Sequence, residues 1–378
     1  MVGYSFMGRV HSQAWRNVSA FFDTPYVPAM VVLAGRSGDK VSAAAARLGW
    51  AAAETDWKEL LRRDDVQVID ICTPGDSHGE IAIAALDAGK HVLCEKPLAN
   101  SVSEAEEMVL AAERAAARGI RSMVGFNYRR VPAIALARRL VAEGRIGTIR
   151  HIRAQYLQDW ITDPEFPLVW RLDKDKAGSG ALGDIGAHII DTAQFITGDR
   201  LVGVSAITET FVKERPVAAE SAGLGASGGS ARGAVTVDDA ALFIGRTAGG
   251  ALASFEATRF ATGRKNALRI EVNGSAGSLA FDFESMNELW FHDDTLDDTA
   301  GFRRILVTEP SHPYAGAWWP AGHLLGYEHT FTHEVADFLS AIASGTGPSP
   351  SFADGLHVQR VLAAVAASAA NGSGWTPV

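Results

Sequence analysis

GYSFMG, residues 3–8, has the outline of a dinucleotide-binding turn, G-x-G-x-x-G, with serine in place of the middle glycine. In such a turn the first glycine makes the bend, the second lets the pyrophosphate approach the backbone, and the third lets the helix pack on the strand. Gly3 and Gly8 stand at the first and third positions, and Ser5 at the second, where a small side chain strains the approach without blocking it. Phe6 and Met7 complete the turn, and RVHSQAWRNV (9–18) reads as the helix that it opens. Only Met1 and Val2 precede Gly3, so the leading strand is truncated. The expectation is that upstream coding sequence supplies a few β-branched residues, and that restoring them raises stability and cofactor affinity.

The context outward from this turn is repetitive in kind. VVLAG (31–35), VQVIDICTP (66–74), HVLCEKP (91–97) and RSMVGFN (121–127) read as strands, apolar nearly throughout where both faces are to be covered. KVSAAAARLG (40–49), HGEIAIAALDAGK (78–90) and VSEAEEMVLAAERAAARG (102–119) read as helices between them, several stopped by glycine. Strands alternating with helices predict right-handed βαβ units and a parallel sheet. After about residue 125 the texture changes. TIRHIRAQYLQDW (148–160), ALFIGRTAGGALASFEATRF (241–260) and ALRIEVNGSAGSLAFDF (267–283) alternate apolar and polar residues, with NGSAG as a hairpin turn. The predicted fold is therefore α/β: a doubly wound, Rossmann-type parallel sheet over 1–125, then a second α/β domain with a large, mainly antiparallel sheet over 126–378. SAGLGASGGSARG (221–233) is expected to be a mobile loop, and 355–372 a C-terminal helix.

Composition narrows the class. A chain of 378 residues is long for one core, and 47% hydrophobic with 21% charged residues fits a globular protein. The net charge of −9, with no basic block, argues against nucleic acid or an anionic membrane as a partner. No apolar run approaches the roughly 18 residues of a membrane span, and no signal peptide is visible. The two cysteines, Cys72 and Cys94, end apolar runs and read as buried free thiols in a reducing, cytoplasmic setting.

A set of short segments then carries a resemblance. TPGDSH (73–78) and CEKPLA (94–99) follow successive strands; FNYRR (126–130), WR (170–171) and GSGALGDIGAHIIDTAQFITG (178–198) come later. Together they resemble the Gfo/Idh/MocA family of NAD(P)-dependent sugar and cyclitol oxidoreductases over nearly the whole chain. Within it, YLQDW, AGSGALGDI, VDD, EATRF with TGR, and HPY are similar to its anhydrosugar dehydrogenases. The resemblance implies hydride transfer between a nicotinamide cofactor and a secondary alcohol of a sugar, anhydrosugar or cyclitol, in a homodimer or homotetramer. The alternatives are an NAD-dependent glycoside hydrolase on the same fold and a catalytically silent cofactor-binding sensor.

Such chemistry needs a base for the hydroxyl proton and a donor for the developing alkoxide. Lys96 ends a parallel strand, at the sheet edge that faces ligand in open α/β folds. The resemblance assigns it to the substrate oxygen and the cofactor. Glu95 either holds the charge of that lysine or touches the cofactor, and Pro97 orients the segment. Asp184 and His188 are four residues apart on a predicted helix and so share a face. By themselves they read equally as a helix cap and a packed core histidine; the resemblance makes them catalytic and substrate-binding. It also assigns Gly3, Ser5, Phe6, Met7, Gly8, Arg36, Ser37, Thr73, Pro74, His78, Asn127, Trp170 and Arg171 to the cofactor. Tyr128, Tyr156, Gln158 and Trp160, with Asp159 nearby, offer the hydroxyl partners and flat apolar face that a sugar requires.

Arg36 and Ser37 follow the second strand, with no carboxylate before Asp39. A guanidinium there suits the 2′-phosphate of NADP, whereas the anhydrosugar resemblance points to NAD; the local charge tips the expectation slightly toward NADP. Arg36 stacked over the adenine would tolerate both. No metal is expected. His329 and His333 have ligand spacing but no third ligand cluster, and HDDTLDD (292–298) lacks the glycine of a calcium loop.

Overall fold

The computed structural model describes residues 1–222, 225–295 and 297–378. The chain divides into two compact units. One is built from Met1–Asn127 together with Tyr327–Gln359, the other from Tyr128–Glu220, Ala226–Gly326 and Arg360–Val378.

In the first unit the parallel ladder runs Ala52–Glu54, Val32–Ala34, Val2, Val68–Ile71, His91–Glu95, Ser122–Gly125. The strand before the glycine turn consists of one residue. Val2 bridges Ala34 on one side and Ile71 on the other. Its N–H donates to Asp70 at 2.8 Å, its carbonyl accepts from Cys72 at 2.8 Å, and the Gly3 N–H donates to Ala34 at 3.0 Å. Counted in chain order, with Val2 as the first strand, the ladder is 3-2-1-4-5-6, which places the reversal of strand order beside the Gly3–Gly8 turn. The helix Gly38–Leu48 stops at Gly49, whose φ of 80° needs no Cβ relief.

Reading along the chain assigns everything after residue 125 to the second domain. The helix Tyr327–Ser344 nevertheless packs on Phe6–Phe21, with Ala14, Trp15 and Val18 against Phe331, Val335, Phe338 and Leu339. His333 is buried there, its ring edge-on to Phe22 at 5.6 Å.

The second unit holds a nine-stranded sheet in the order Arg303–Leu306, Glu288–Asp293, Gly277–Asp282, Ala267–Gly274, Ile149–Leu157, Leu252–Thr258, Ala240–Thr247, Leu201–Glu209, Thr376–Pro377. All its pairs are antiparallel except Ile149–Leu157 with Leu252–Thr258. Burial alternates along the strands, as period-2 patterning requires. The helices Pro132–Ala142 and Ala187–Thr197 pack together and lie against strands of this sheet. The expected loop over 221–233 is corrected: Gly225–Ala234 is a strand paired with Glu214–Ala222. Ladder hydrogen bonds need no side chains, and the missing Cβ atoms leave room for Pro216 at Gly228 and Leu168 at Gly233. Gly223 and Leu224 lie outside the described residues. Among the described residues no helix is long and apolar enough to cross a membrane.

Candidate active site

The glycine turn of the first unit is tightly packed. Gly3 has φ of +100°, and a Cβ there would lie 2.7 Å from the Cys72 carbonyl oxygen. A Cβ at Gly8 would lie 2.3 Å from the Gly3 carbonyl oxygen. Any side chain at either place would push the helix off the sheet. Ser5 is exposed at the N-cap of Phe6–Phe21 with no side-chain cap bond, and the first turn carries no acidic residue. The free N–H groups of that turn suit a phosphate, and the tight glycines fit a dinucleotide here. Phe6 and Met7 are half-buried. Phe6 stacks on Tyr327 at 6.3 Å and Met7 packs into the core, so both brace the turn. Arg36 is exposed beyond Val32–Ala34, and among the described residues no carboxylate pairs with it. The Ser37 side chain makes no cap bond to its helix.

Two loops leave the C-terminal ends of neighbouring strands. Thr73 and Pro74 follow Val68–Ile71, where the Ser77 hydroxyl reaches Thr73 Oγ1 at 2.8 Å and the Pro74 carbonyl at 2.9 Å. Lys96 and Pro97 follow His91–Glu95 across a cis peptide bond, with Lys96 half-exposed at the strand end. His78 belongs between these loops. It is buried, and its ring nitrogens lie 2.9 Å from the carbonyl oxygens of Thr73 and Pro97. Each nitrogen thus faces a backbone carbonyl, and the ring ties the two loops together. Asn127 is likewise turned inward, its amide donating to Thr330 Oγ1 at 2.9 Å. Glu95 is buried as well, held by His11 at 3.0 Å, while its second oxygen accepts the Lys96 N–H at 3.1 Å. Sequence reading passed over His11.

The second unit gathers a polar arc. The Tyr128 and Tyr156 hydroxyls are 2.5 Å apart, Tyr156 donates to Asn266 Oδ1 at 2.7 Å, and so does Gln158 Nε2 at 2.7 Å. Trp160 Nε1 donates to Gln158 Oε1 at 3.1 Å. The His188 ring lies 4.6 Å from Tyr128 and 5.9 Å from Tyr156. Asn266 is the member that sequence missed. It arrives through the antiparallel register Ala267↔Leu157. Asp159 is not part of the arc; it turns to Lys265 at 2.7 Å and Gly263 N at 3.0 Å.

Asp184 and His188 do not share one α-helix. Asp184 sits in a π turn, Leu182–Gly186, that runs into the helix Ala187–Thr197 bearing His188. Such turns are frequent at functional sites. Asp238 holds this one, accepting the N–H groups of Gly180 and Leu182 at 2.7 Å each. Gly180 permits it, since a Cβ there would lie 1.7 Å from the Asp238 carbonyl oxygen. The carboxylate of Asp184 is 3.7 Å from Nη1 of Arg259, a fully buried guanidinium that also lies over Trp160 at 5.6 Å. Arg171 stacks on Trp170 at 4.4 Å. Burial lowers the Arg171 pKa, with Arg259 acting the same way and Asp184 opposing. A half-buried carboxylate set beside a guanidinium is an acceptor for a hydroxyl hydrogen bond.

Two family models match the chain: an oxidoreductase family with an NAD-binding Rossmann fold over residues 1–125, and a GFO/IDH/MocA C-terminal domain over 134–280. The levoglucosan dehydrogenase of Pseudarthrobacter phenanthrenivorans is 43% identical over 385 aligned residues, covering 100% of this chain and 97% of the relative. A solved levoglucosan dehydrogenase complex with NADH and levoglucosan is 41% identical with a TM-score of 0.93, covering 100% and 97%. An oxidoreductase domain protein from Kribbella flavida is 68% identical with a TM-score of 0.95, again over 100% and 97%.

Proposed function

We infer that this chain, which belongs to the Gfo/Idh/MocA oxidoreductase family, oxidises levoglucosan or a closely similar anhydrosugar at a secondary alcohol. Its class is that of a nicotinamide-dependent dehydrogenase acting on sugar, anhydrosugar or cyclitol alcohols. The observation that supports the finer reading is the arc of Tyr128, Tyr156, Gln158, Asn266 and Trp160 beside His188. It offers several hydroxyl partners and one flat apolar face, which is what a compact, rigid sugar presents. When bound, the nicotinamide supplies the hydride acceptor. The chain supplies the rest: Lys96 donates to the oxygen that becomes the carbonyl, His188 takes the hydroxyl proton, and Asp184, set beside Arg259, orients a neighbouring hydroxyl. The test is nicotinamide reduction with levoglucosan, cyclitols and common sugars. Turnover with cyclitols but not levoglucosan would overturn the anhydrosugar reading, release of a free sugar without net reduction would mark a glycoside hydrolase, and binding without turnover a sensor.

The cofactor assignment extends this reading to NADP. Arg36 and Ser37 stand at the end of the second strand with no carboxylate set against them, which favours a 2′-phosphate. Solved relatives at 41% identity are described as NADH complexes. We expect NADP to bind at least as tightly as NAD, and Arg36→Ala to weaken NADP selectively. A dissociation constant for NAD tenfold below that for NADP would reverse the assignment.

Self-association is assigned to the open face of the nine-stranded sheet. Ile207, Leu242, Ile244, Leu252 and Trp290 are exposed on that face. Arg153 pairs with Glu271 and Arg269 with Asp282 on it, so its charges are matched within the chain and do not repel a second copy. Ile244→Glu is expected to give monomers in sedimentation while wild type sediments as a dimer or tetramer; a monomeric wild type would remove the assignment. The buried free thiols of Cys72 and Cys94 are consistent with work in the cytoplasm.

A further inference from the structure

One buried histidine of the first unit touches two carboxylates at once. His11, on the helix Phe6–Phe21, is 1% exposed. Its Nδ1 lies 3.0 Å from both oxygens of Asp70, and its Nε2 lies 3.0 Å from Oε1 of Glu95. Trp15 Nε1 donates to Asp70 at 2.7 Å, the Cys72 thiol reaches Asp70 at 3.5 Å, and the Phe331 ring closes the pocket at 5.3 Å. An imidazole can face two carboxylates through both nitrogens only when both carry hydrogen, or when one carboxyl is protonated. Burial alone would deprotonate His11, but Asp70 outweighs it and raises the pKa well above its usual value, while the Asp70 pKa falls. His11 and Asp70 therefore form an imidazolium–carboxylate pair, with Glu95 Oε1 set against the far ring nitrogen. His11, Asp70 and Cys72 also have their ligand atoms within 4.8 Å of one another. Burial pushes the Cys72 thiol up to about 12, so it stays a thiol and offers no ready thiolate to a cation.

A buried ionic bridge adds little stability, so its use lies in geometry. Glu95 is the last residue of its strand, and the room for its carboxylate exists because Gly125 on the next strand has no side chain: a Cβ there would lie 2.9 Å from Glu95 Oε1. The first Glu95 oxygen is held by His11, and the second accepts the N–H of Lys96 at 3.1 Å. We propose that His11 is a positioning residue for Lys96, pinning the Glu95 carboxylate so that it fixes the backbone from which the lysine side chain departs. The proposal rests on the role given to Lys96 above. It does not place His11 in contact with substrate or cofactor.

The test uses the full chain with the sugar it turns over. Asn at position 11 can replace the Nδ1 donor to Asp70 but cannot reach Glu95, whereas Gln can place a donor near the old Nε2. His11→Asn should lower kcat roughly tenfold to 10²-fold, the scale of a slight misplacement of a reacting group. The KM for the sugar should stay within about twofold, and His11→Gln should recover most of the loss. In a Lys96→Ala background the His11→Asn effect should vanish, because the group it positions is gone. An equal loss in both backgrounds, or no recovery by Gln, would overturn the proposal. Full activity of Lys96→Ala itself would instead remove the role of the lysine. Should His11→Asn fail to fold, Glu95→Gln in the intact pocket serves: its amide oxygen can still meet His11 while its NH2 cannot accept from Lys96. A kcat unchanged in Glu95→Gln would equally overturn the proposal.

Discussion

Lys96→Ala is expected to lower kcat by roughly 10²-fold or more, with the fold and cofactor affinity retained. The lysine is half-exposed at the end of His91–Glu95, so removing its side chain opens no cavity in the core. The neighbouring Glu95 is held by His11, and Pro97 by the tie through His78, so the loop keeps its path without the ammonium. What is lost is a positive donor for the oxygen on the carbon that gives up its hydride, a contribution of about 2.7 kcal/mol for a 10²-fold change. The measurement is steady-state turnover beside cofactor titration and thermal melting. Near-normal turnover would take Lys96 out of the chemistry. A collapse in melting temperature would reclassify it as a structural residue.

The second large effect is expected at His188. His188→Asn should reduce kcat by roughly 10²-fold to 10³-fold, as loss of a positioned general base does. Asparagine keeps a polar side chain of smaller size beneath the Tyr128 ring but cannot accept and pass on a proton at neutral pH. What the substitution removes is the proton acceptor, so the loss should fall on kcat rather than on KM. A rise in KM with kcat intact would instead make His188 a binding residue.

Much of the first unit was legible because its signals are local. Gly3, Gly8 and Gly49 each answer a steric demand set by atoms close at hand, and the buried strands are short apolar runs between glycines. The strand at Val2 was legible only from its place before Gly3, since periodicity needs several residues and a single one has none. Arg259, Asn266 and His11 were missed for another reason. Each meets its partner through strand register or helix packing across long stretches of chain, and the residues on either side of it carry no trace of that meeting. His78 and Asn127 sit in the expected segments, but the direction of a side chain is decided by the nearest backbone carbonyl or hydroxyl, which the sequence does not display. The strand Gly225–Ala234 was hidden because hydrogen-bond ladders can form from residues that β propensity disfavours.

The helix Tyr327–Ser344 gives the molecule an order of assembly. Its apolar side covers Ala14, Trp15 and Val18, residues that leave the ribosome long before the helix does. Until Tyr327–Ser344 emerges, that surface lacks this cover, and the nascent first unit must wait with it exposed to chaperones or to other nascent chains. A fragment cut after Asn127 would carry the same bare surface permanently. The packing of Phe6–Phe21 is thus completed only when that much later helix arrives, and quality control during synthesis bears on this helix pair more than on any residue of the chemistry.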